Sequence, residues 1–234
     1  MKNKYSFLRV IHKENAGASE ARNTGKQQAV GEFIIFIDSD DYITENKDFF
    51  KTAITLIKEN NVDILAYAYH WKNSDDIITT KSDDIPSDFS GIKSTFEFAQ
   101  FCAYSPYCNL ISICIWNKIY KTSFIQDLSF TIRNKEDEIF FNDVYSKKGT
   151  VYCLPEFGYV YCENQSISLS KSEFSPDNIS YLYTLKERIK LFSDSTLIVN
   201  HSMKIYIELY ISYFYLAKKA NITPYEDKTT YKKY

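Results

Sequence analysis

Phe33-Ile34-Ile35-Phe36-Ile37-Asp38-Ser39-Asp40-Asp41 decides the fold: five apolar residues in a row, then an abrupt acidic turn. A short continuous apolar run fits a strand buried on both faces, as in a parallel sheet covered by helices. Ligands of open α/β sheets sit at the carboxyl ends of such strands. This strand delivers three carboxylates there. Hard oxygen ligands suit Mg²⁺ or Mn²⁺, and a cation of that kind neutralises a leaving diphosphate. The same acids would also serve as an ordinary turn capping the next helix. An EF-hand reading fails, because Ile43 stands where the loop needs glycine and Phe49 where it needs an acid. An Asp-x-Asp after an apolar strand also resembles a haloacid-dehalogenase-type phosphohydrolase, but Tyr42 replaces that family's Thr or Val.

Outward from this stretch, strand and helix patterns alternate. Phe7 to Ile11 reads as a short strand and Ala18 to Val30 as a helix rich in small residues. Asp48 to Asn60 reads as a helix and Val62 to Tyr69 as a strand. The sequence 71–91 is polar, with five Asp and Pro86, and reads as a loop. Ser94 to Tyr104 is a helix. Glu136 to Lys148 is a helix with acids at its start, Lys147 and Lys148 at its end, and Gly149 placed as a glycine C-cap. Val151 to Leu154 and Gly158 to Tyr161 are two short strands; Asp177 to Phe192 and Thr196 to Ala220 are helices. This order gives an α/β class with a mostly parallel sheet flanked by helices.

Composition narrows the function. The 234 residues carry a formal net charge of −2, which points away from nucleic acid. No run approaches the ~18 apolar residues of a spanning helix, and no apolar h-region follows the polar Met1 to Tyr5. The five cysteines include no Cys-x-x-Cys pair, which argues against a zinc site or a disulfide framework. The expectation is a cytoplasmic chain, free or peripheral at the inner face of a membrane.

The segment upstream of the strand is specific. Asn15-Ala16-Gly17, Ala21-Arg22-Asn23-Thr24-Gly25 and Ala29-Val30-Gly31-Glu32 precede Asp38-Ser39-Asp40-Asp41 in order. Their spacing is not that of a Gly-x-G-x-x-Gly dinucleotide loop. Downstream stand Trp116-Asn117-Lys118-Ile119-Tyr120, Glu136-Asp137-Glu138-Ile139-Phe140, and Tyr159-Val160-Tyr161 followed by Ser166-Ile167-Ser168. The whole series, over about residues 5 to 170, resembles family 2 glycosyltransferases of the GT-A (Rossmann-like) fold. That resemblance implies a nucleotide-sugar donor, a saccharide or lipid-linked saccharide acceptor, and Mn²⁺ or Mg²⁺ as cofactor. It implies donor binding by Asn15, Gly17, Arg22, Asp38 and Asp40, with the metal on Asp40 and Asp38 and Asp41 in support. It implies Asp137 as the general base of an inverting transfer, with Trp116, Lys118 and Glu136 on the acceptor side.

Two departures matter. Cys162 and Glu163 follow the Tyr-x-Tyr where relatives often carry Arg, and the Gln/Arg-x-x-Arg-Trp motif of processive synthases is absent, which points to single-sugar transfer. The family's usual opening (an apolar strand, a Pro-x-Tyr-Asn turn, a second strand ending in Asp-Asp) has no counterpart here. The expectation is a catalytic domain over 1–170 lacking its first strands, weak in donor binding by itself, or a noncatalytic remnant. A helical extension over 171–234 would follow, apolar enough to be buried, to pair with a second copy or to lie on a membrane surface.

Overall fold

The computed structural model describes residues 6–75, 77–78, 80, 84–104, 113–131, 136–163 and 179–219. In chain order the elements are α1 (Ala18–Gln28), β1 (Phe33–Ile34), β2 (Tyr42–Ile43), α2 (Phe49–Asn60), β3 (Ile64–Lys72), β4 (Gly91–Ser94) and α3 (Thr95–Tyr104). Then follow β5 (Lys118–Lys121), α4 (Thr122–Ile125), α5 (Glu136–Ser146), β6 (Thr150–Cys162), α6 (Ser180–Leu191) and α7 (Thr196–Lys219). The expected α/β class and the C-terminal helices are present.

The six-stranded sheet runs β1–β5–β3–β6–β2, with β4 also on β6. The expectation of a mostly parallel sheet is corrected. Among the described residues only β3–β6 is parallel, and β1–β5, β3–β5, β2–β6 and β4–β6 are antiparallel. Apolar periodicity reports how many faces a strand buries; its direction depends on how the connections bring it back. β3 and β6 together carry the core. Ile64 to Tyr69 are buried throughout, as a strand covered on both faces should be.

The two short strands expected around Pro155 are one 13-residue strand, β6. Its register against β3 slips between Tyr67 and Ala68, where Leu154 and Phe157 are the successive partners. Pro155 and Glu156 are left over in that slip. A proline cannot donate to a ladder, so a bulge is where a strand tolerates one. β6 then continues to Cys162, with β4 on its first half and β2 on its second. Gly158 sits where Phe49, the first residue of α2, packs onto the sheet. A Cβ there would lie 2.3 Å from the Phe49 ring and 2.7 Å from Tyr67, so only glycine permits the approach.

Three local expectations change. Phe7 to Ile11 is no strand but part of an irregular, largely exposed segment over 6–17, with Phe7 81% exposed. Alternation alone does not make a strand without a ladder to join. The run 33–37 is not uniformly interior: Ile34 and Phe36 are buried, Ile37 is 53% exposed, and β1 pairs only with β5 among the described residues. Gly149 is not a left-handed cap, since the positive-φ glycines among the described residues are Gly17 and Gly91. Its Cβ would lie 2.6 Å from the Phe124 ring, so it is a close-approach glycine. Ser166, Ile167 and Ser168, the expected continuation of the Tyr-x-Tyr segment, lie outside the described residues.

Candidate active site

The site begins with how α1 is held. Gly17 ends the loop before α1 at φ 86°, and its N–H donates to the Asn15 side chain at 3.1 Å. A positive φ is the reason for glycine here; no atom lies within 4 Å of a Cβ built on Gly17, so the space beside it is open. Asn23 then locks α1 to the segment before α5, donating to the Phe130 carbonyl at 2.8 Å and accepting the Phe130 N–H at 2.9 Å. Lys26 donates to the carbonyls of Ile125, Gln126 and Leu128, completing the end of α4. Both residues tie α1 to the segment 125–130.

Arg22 is the hub. Its Nη2 donates to Asp38 Oδ1 at 2.8 Å, and its Nη1 to Glu136 Oε1 and, at 3.3 Å, to Asp137 Oδ1. The Phe130 ring lies 5.7 Å from the guanidinium carbon. A planar guanidinium presents a fixed fork of donors, which suits it to gather carboxylates from separate segments. Three of the expected site residues, from the acidic turn and the α5 start, thus converge on a fourth from α1. Burial works to lower the Arg22 pKa, but Asp137 and Asp38 outweigh it and hold the cation charged.

Asp137 is pushed up to about 7, chiefly by burial; Arg22 opposes the shift, and Glu136, Asp38 and Glu138 add to it. A carboxyl poised near neutrality is what proton abstraction from an alcohol calls for. Asp41 is also raised, to about 6, again chiefly by burial. Both its oxygens are engaged: Oδ2 accepts the Tyr159 hydroxyl at 2.8 Å and Oδ1 the Cys162 N–H at 2.8 Å. Tyr159 Oη in turn accepts the Asp38 N–H at 3.1 Å. Asp41 therefore pins the acidic turn to β6, and Tyr159 joins the two.

Asp40 is exposed, and Asp38 half-buried with Oδ1 on Arg22. No set of three or more His, Cys, Asp or Glu is gathered to hold a metal among the described residues. Mg²⁺ in phosphate chemistry takes one or two carboxylates and completes its shell with phosphate oxygens and water. The acidic turn fits that donor set.

Trp116 and Lys118 are placed behind the site. Trp116 is 5% exposed and stacks on Tyr159 and Tyr161, with centroids at 4.5 and 5.6 Å. Lys118 is fully enclosed; its ammonium donates to the Cys114 carbonyl and to Asn117 Oδ1, and burial brings it down to about 8. Asn117 bridges to β3 through the Tyr67 carbonyl at 3.0 Å. The residues that sequence reasoning missed are supports. Asn23 and Tyr159 lay inside quoted motifs without a role, and Glu138 was read only as a helix-start acid.

The comparisons bear on this geometry. The model of glycosyl transferase family 2 matches residues 1–129, more than half of the chain. A glycosyltransferase of Streptococcus pneumoniae serotype 4, GlyA, is 30% identical over 64% of this chain and 22% of its own length. EpsJ of Bacillus subtilis, an uncharacterized glycosyltransferase, is 27% identical over 72% of this chain and 48% of its own. Borreliella burgdorferi cholesterol galactosyltransferase is 24% identical over 99% of this chain and 66% of its own. The chain thus spans from about a fifth to two thirds of these relatives. Among solved structures, residues 1–349 of Staphylococcus aureus TarS, in complex with UDP-GlcNAc, superpose with a TM-score of 0.60 at 22% identity, covering 93% of this chain and 59% of that one. That likeness gives the fold. The phosphohydrolase reading is not favoured, since the matched family is a transferase and Asp38 is tied to Arg22 rather than presented as a nucleophile. An ordered motif series, a GT-A-like sheet and convergent carboxylates all agree with the family match: the chain belongs to glycosyl transferase family 2.

Proposed function

We propose that this chain carries the metal-and-base part of an inverting glycosyltransferase. It moves one sugar from a nucleoside-diphosphate donor to an acceptor hydroxyl, in the synthesis of a bacterial surface polysaccharide or glycoconjugate. The observation that carries the reading is the Arg22 bridge, which draws Asp38 of the acidic turn and Asp137 of the α5 start to one cation. Metal and leaving group on one side, and base on the other, must share a site of this size for in-line displacement. UDP-GlcNAc, the ligand of the superposed TarS structure, makes a uridine donor the first to test.

Asp40 and Asp38 would hold Mn²⁺ or Mg²⁺, which when bound offsets the charge of the departing diphosphate. Arg22 adds a fixed cation on the nucleotide side. Asp137 accepts the proton of the acceptor hydroxyl, whose oxygen bonds to the anomeric carbon as the bond from that carbon to the phosphate oxygen breaks. The electron pair leaves on the nucleoside diphosphate, and attack from the opposite face inverts the anomeric centre. Asn15 and Gly17 border the donor side. Trp116 backs the acceptor side through Tyr159 and Tyr161, and Lys118 through the Cys114 carbonyl and Asn117, rather than touching the sugar. Residues 1–170 carry the catalytic motifs.

Calorimetric titration of the chain with UDP, UDP-GlcNAc and other nucleotide sugars, with and without Mn²⁺, tests this. The expectation is binding that depends on Mn²⁺ and is lost in Asp40→Ala. Binding indifferent to both metal and Asp40 defeats the reading.

A further inference from the structure

Three consecutive acids, Glu136, Asp137 and Glu138, open α5. Successive helical residues point about 100° apart, so all three cannot face one partner. Glu136 and Asp137 meet Arg22. Glu138 turns inward, 3% exposed, and accepts from Arg188 of α6 at 2.6 Å.

Arg188 grips more than that carboxylate. Its Nη2 also donates to the Glu138 carbonyl at 3.2 Å, and its Nε donates to Asn142 Oδ1 at 2.8 Å. The guanidinium carbon lies 4.5 Å from the Phe141 ring centroid. Asn142 donates back to the Thr184 carbonyl of α6 at 3.0 Å. The contacts fall at positions 138, 141 and 142, the i, i+3 and i+4 places of one helical face. Pair side chains are 7% and 4% exposed, so water does not compete for them. Such an arrangement fixes rotation about the α5 axis, not merely contact between helices. The first turn of α5 is held between two arginines, Arg22 on the site side and Arg188 on the side of the C-terminal helices.

We propose that Arg188 is a positioning residue: from the helical segment after residue 170 it sets the rotation of α5 that aims Glu136 and Asp137 at Arg22. Its functional meaning rests on Asp137 being the base. Its structural content does not. The consequence is that the helices after residue 170 belong to the working unit of the transferase.

The test is thermodynamic coupling in the full chain. Breaking one side of a buried ion pair strands a charge, whereas replacing both by apolar groups of similar volume often leaves a fold intact. The background is therefore Arg188→Met with Glu138→Leu. Arg22→Met is introduced into wild type and into this background, and urea unfolding midpoints are measured near neutral pH. Arg22→Met lowers the wild-type midpoint by stranding three carboxylates. If Arg188 aims the helix start, the shift in the background falls to half or less, because the acids have already turned away. Independent sites would add, so an undiminished shift overturns the proposal. Arg188→Lys, which keeps the charge and loses the fork, serves the same comparison if the double variant does not fold; an undiminished Arg22→Met shift in it counts against the proposal equally. No turnover enters these measurements, so their outcome is separate from that of the donor titration.

Discussion

Removing one oxygen should loosen the acidic turn. In Tyr159→Phe the ring stays stacked on Trp116, and no cavity opens, because only the hydroxyl is lost. That hydroxyl donates to Asp41 at 2.8 Å and accepts from the Asp38 N–H at 3.1 Å. A bond to an ionised carboxylate contributes ~1.5–3 kcal/mol. The Asp38 N–H is half-buried, so water replaces much of its bond and adds less than ~1 kcal/mol. The total is ~2–3 kcal/mol, a urea midpoint about 1 M lower for a chain of this size. The loss also depends on pH. Asp41 titrates at about 6 in the fold against an ordinary 3.8, so the folded chain holds a proton that the unfolded chain has released across that window. Stability contributed by Asp41 is therefore lost as pH rises from about 4 to 6. Losing a bond to the charged form raises this pKa further and extends the window upward. The destabilisation should be larger near pH 8 than near pH 5, where the bond to a neutral acid is worth only ~1 kcal/mol. A loss under ~0.5 kcal/mol near pH 8, or equal losses at the two pH values, would refute the assignment of Tyr159 as the tie between turn and sheet.

Other outcomes follow from the same geometry. Asp137→Asn should cut sugar transfer by ~10²–10⁴-fold while leaving Mn²⁺-dependent UDP binding in place, as a nucleoside diphosphate release assay and calorimetry would read. The wild-type rate should rise with pH up to about 7 and then level, since the base must be deprotonated and Asp137 titrates near there. Asp40→Ala should abolish the Mn²⁺ dependence of UDP binding with a urea midpoint within ~0.5 kcal/mol of wild type, because an exposed side chain carries little stability. Gly158→Ala should cost ~1–3 kcal/mol or more by driving Phe49 off the sheet; an unchanged midpoint would mean that α2 can move away freely.

Much of the site was legible because its chemistry is local in the chain. The acidic turn after an apolar run is readable from residue type and spacing, while Arg22 and Asp137 are singled out by the family resemblance of the segments that hold them. The elements were legible where periodicity is strong: α2 is found at Phe49–Asn60 and α3 at Thr95–Tyr104, within a residue of expectation. Roles in depth were not legible. The resemblance puts Trp116 and Lys118 on the acceptor side, but a sequence does not say that a Trp is stacked or an ammonium enclosed.

What the sequence determined alone is which side chains are present and in what order: an acidic turn after an apolar run, an arginine in a small-residue helix and three acids at a helix start, each specified by residue type and immediate neighbours. What only the tertiary structure decided is direction and company. Strand polarity comes from connections, so four of the five ladders among the described residues are antiparallel. The partition of three adjacent acids between Arg22 and Arg188 comes from packing, because two helices far apart in the chain must close on α5 before its faces differ. Burial in the folded chain brings Asp137 to about 7 against the pull of Arg22, and no count of neighbouring residues along the chain contains it.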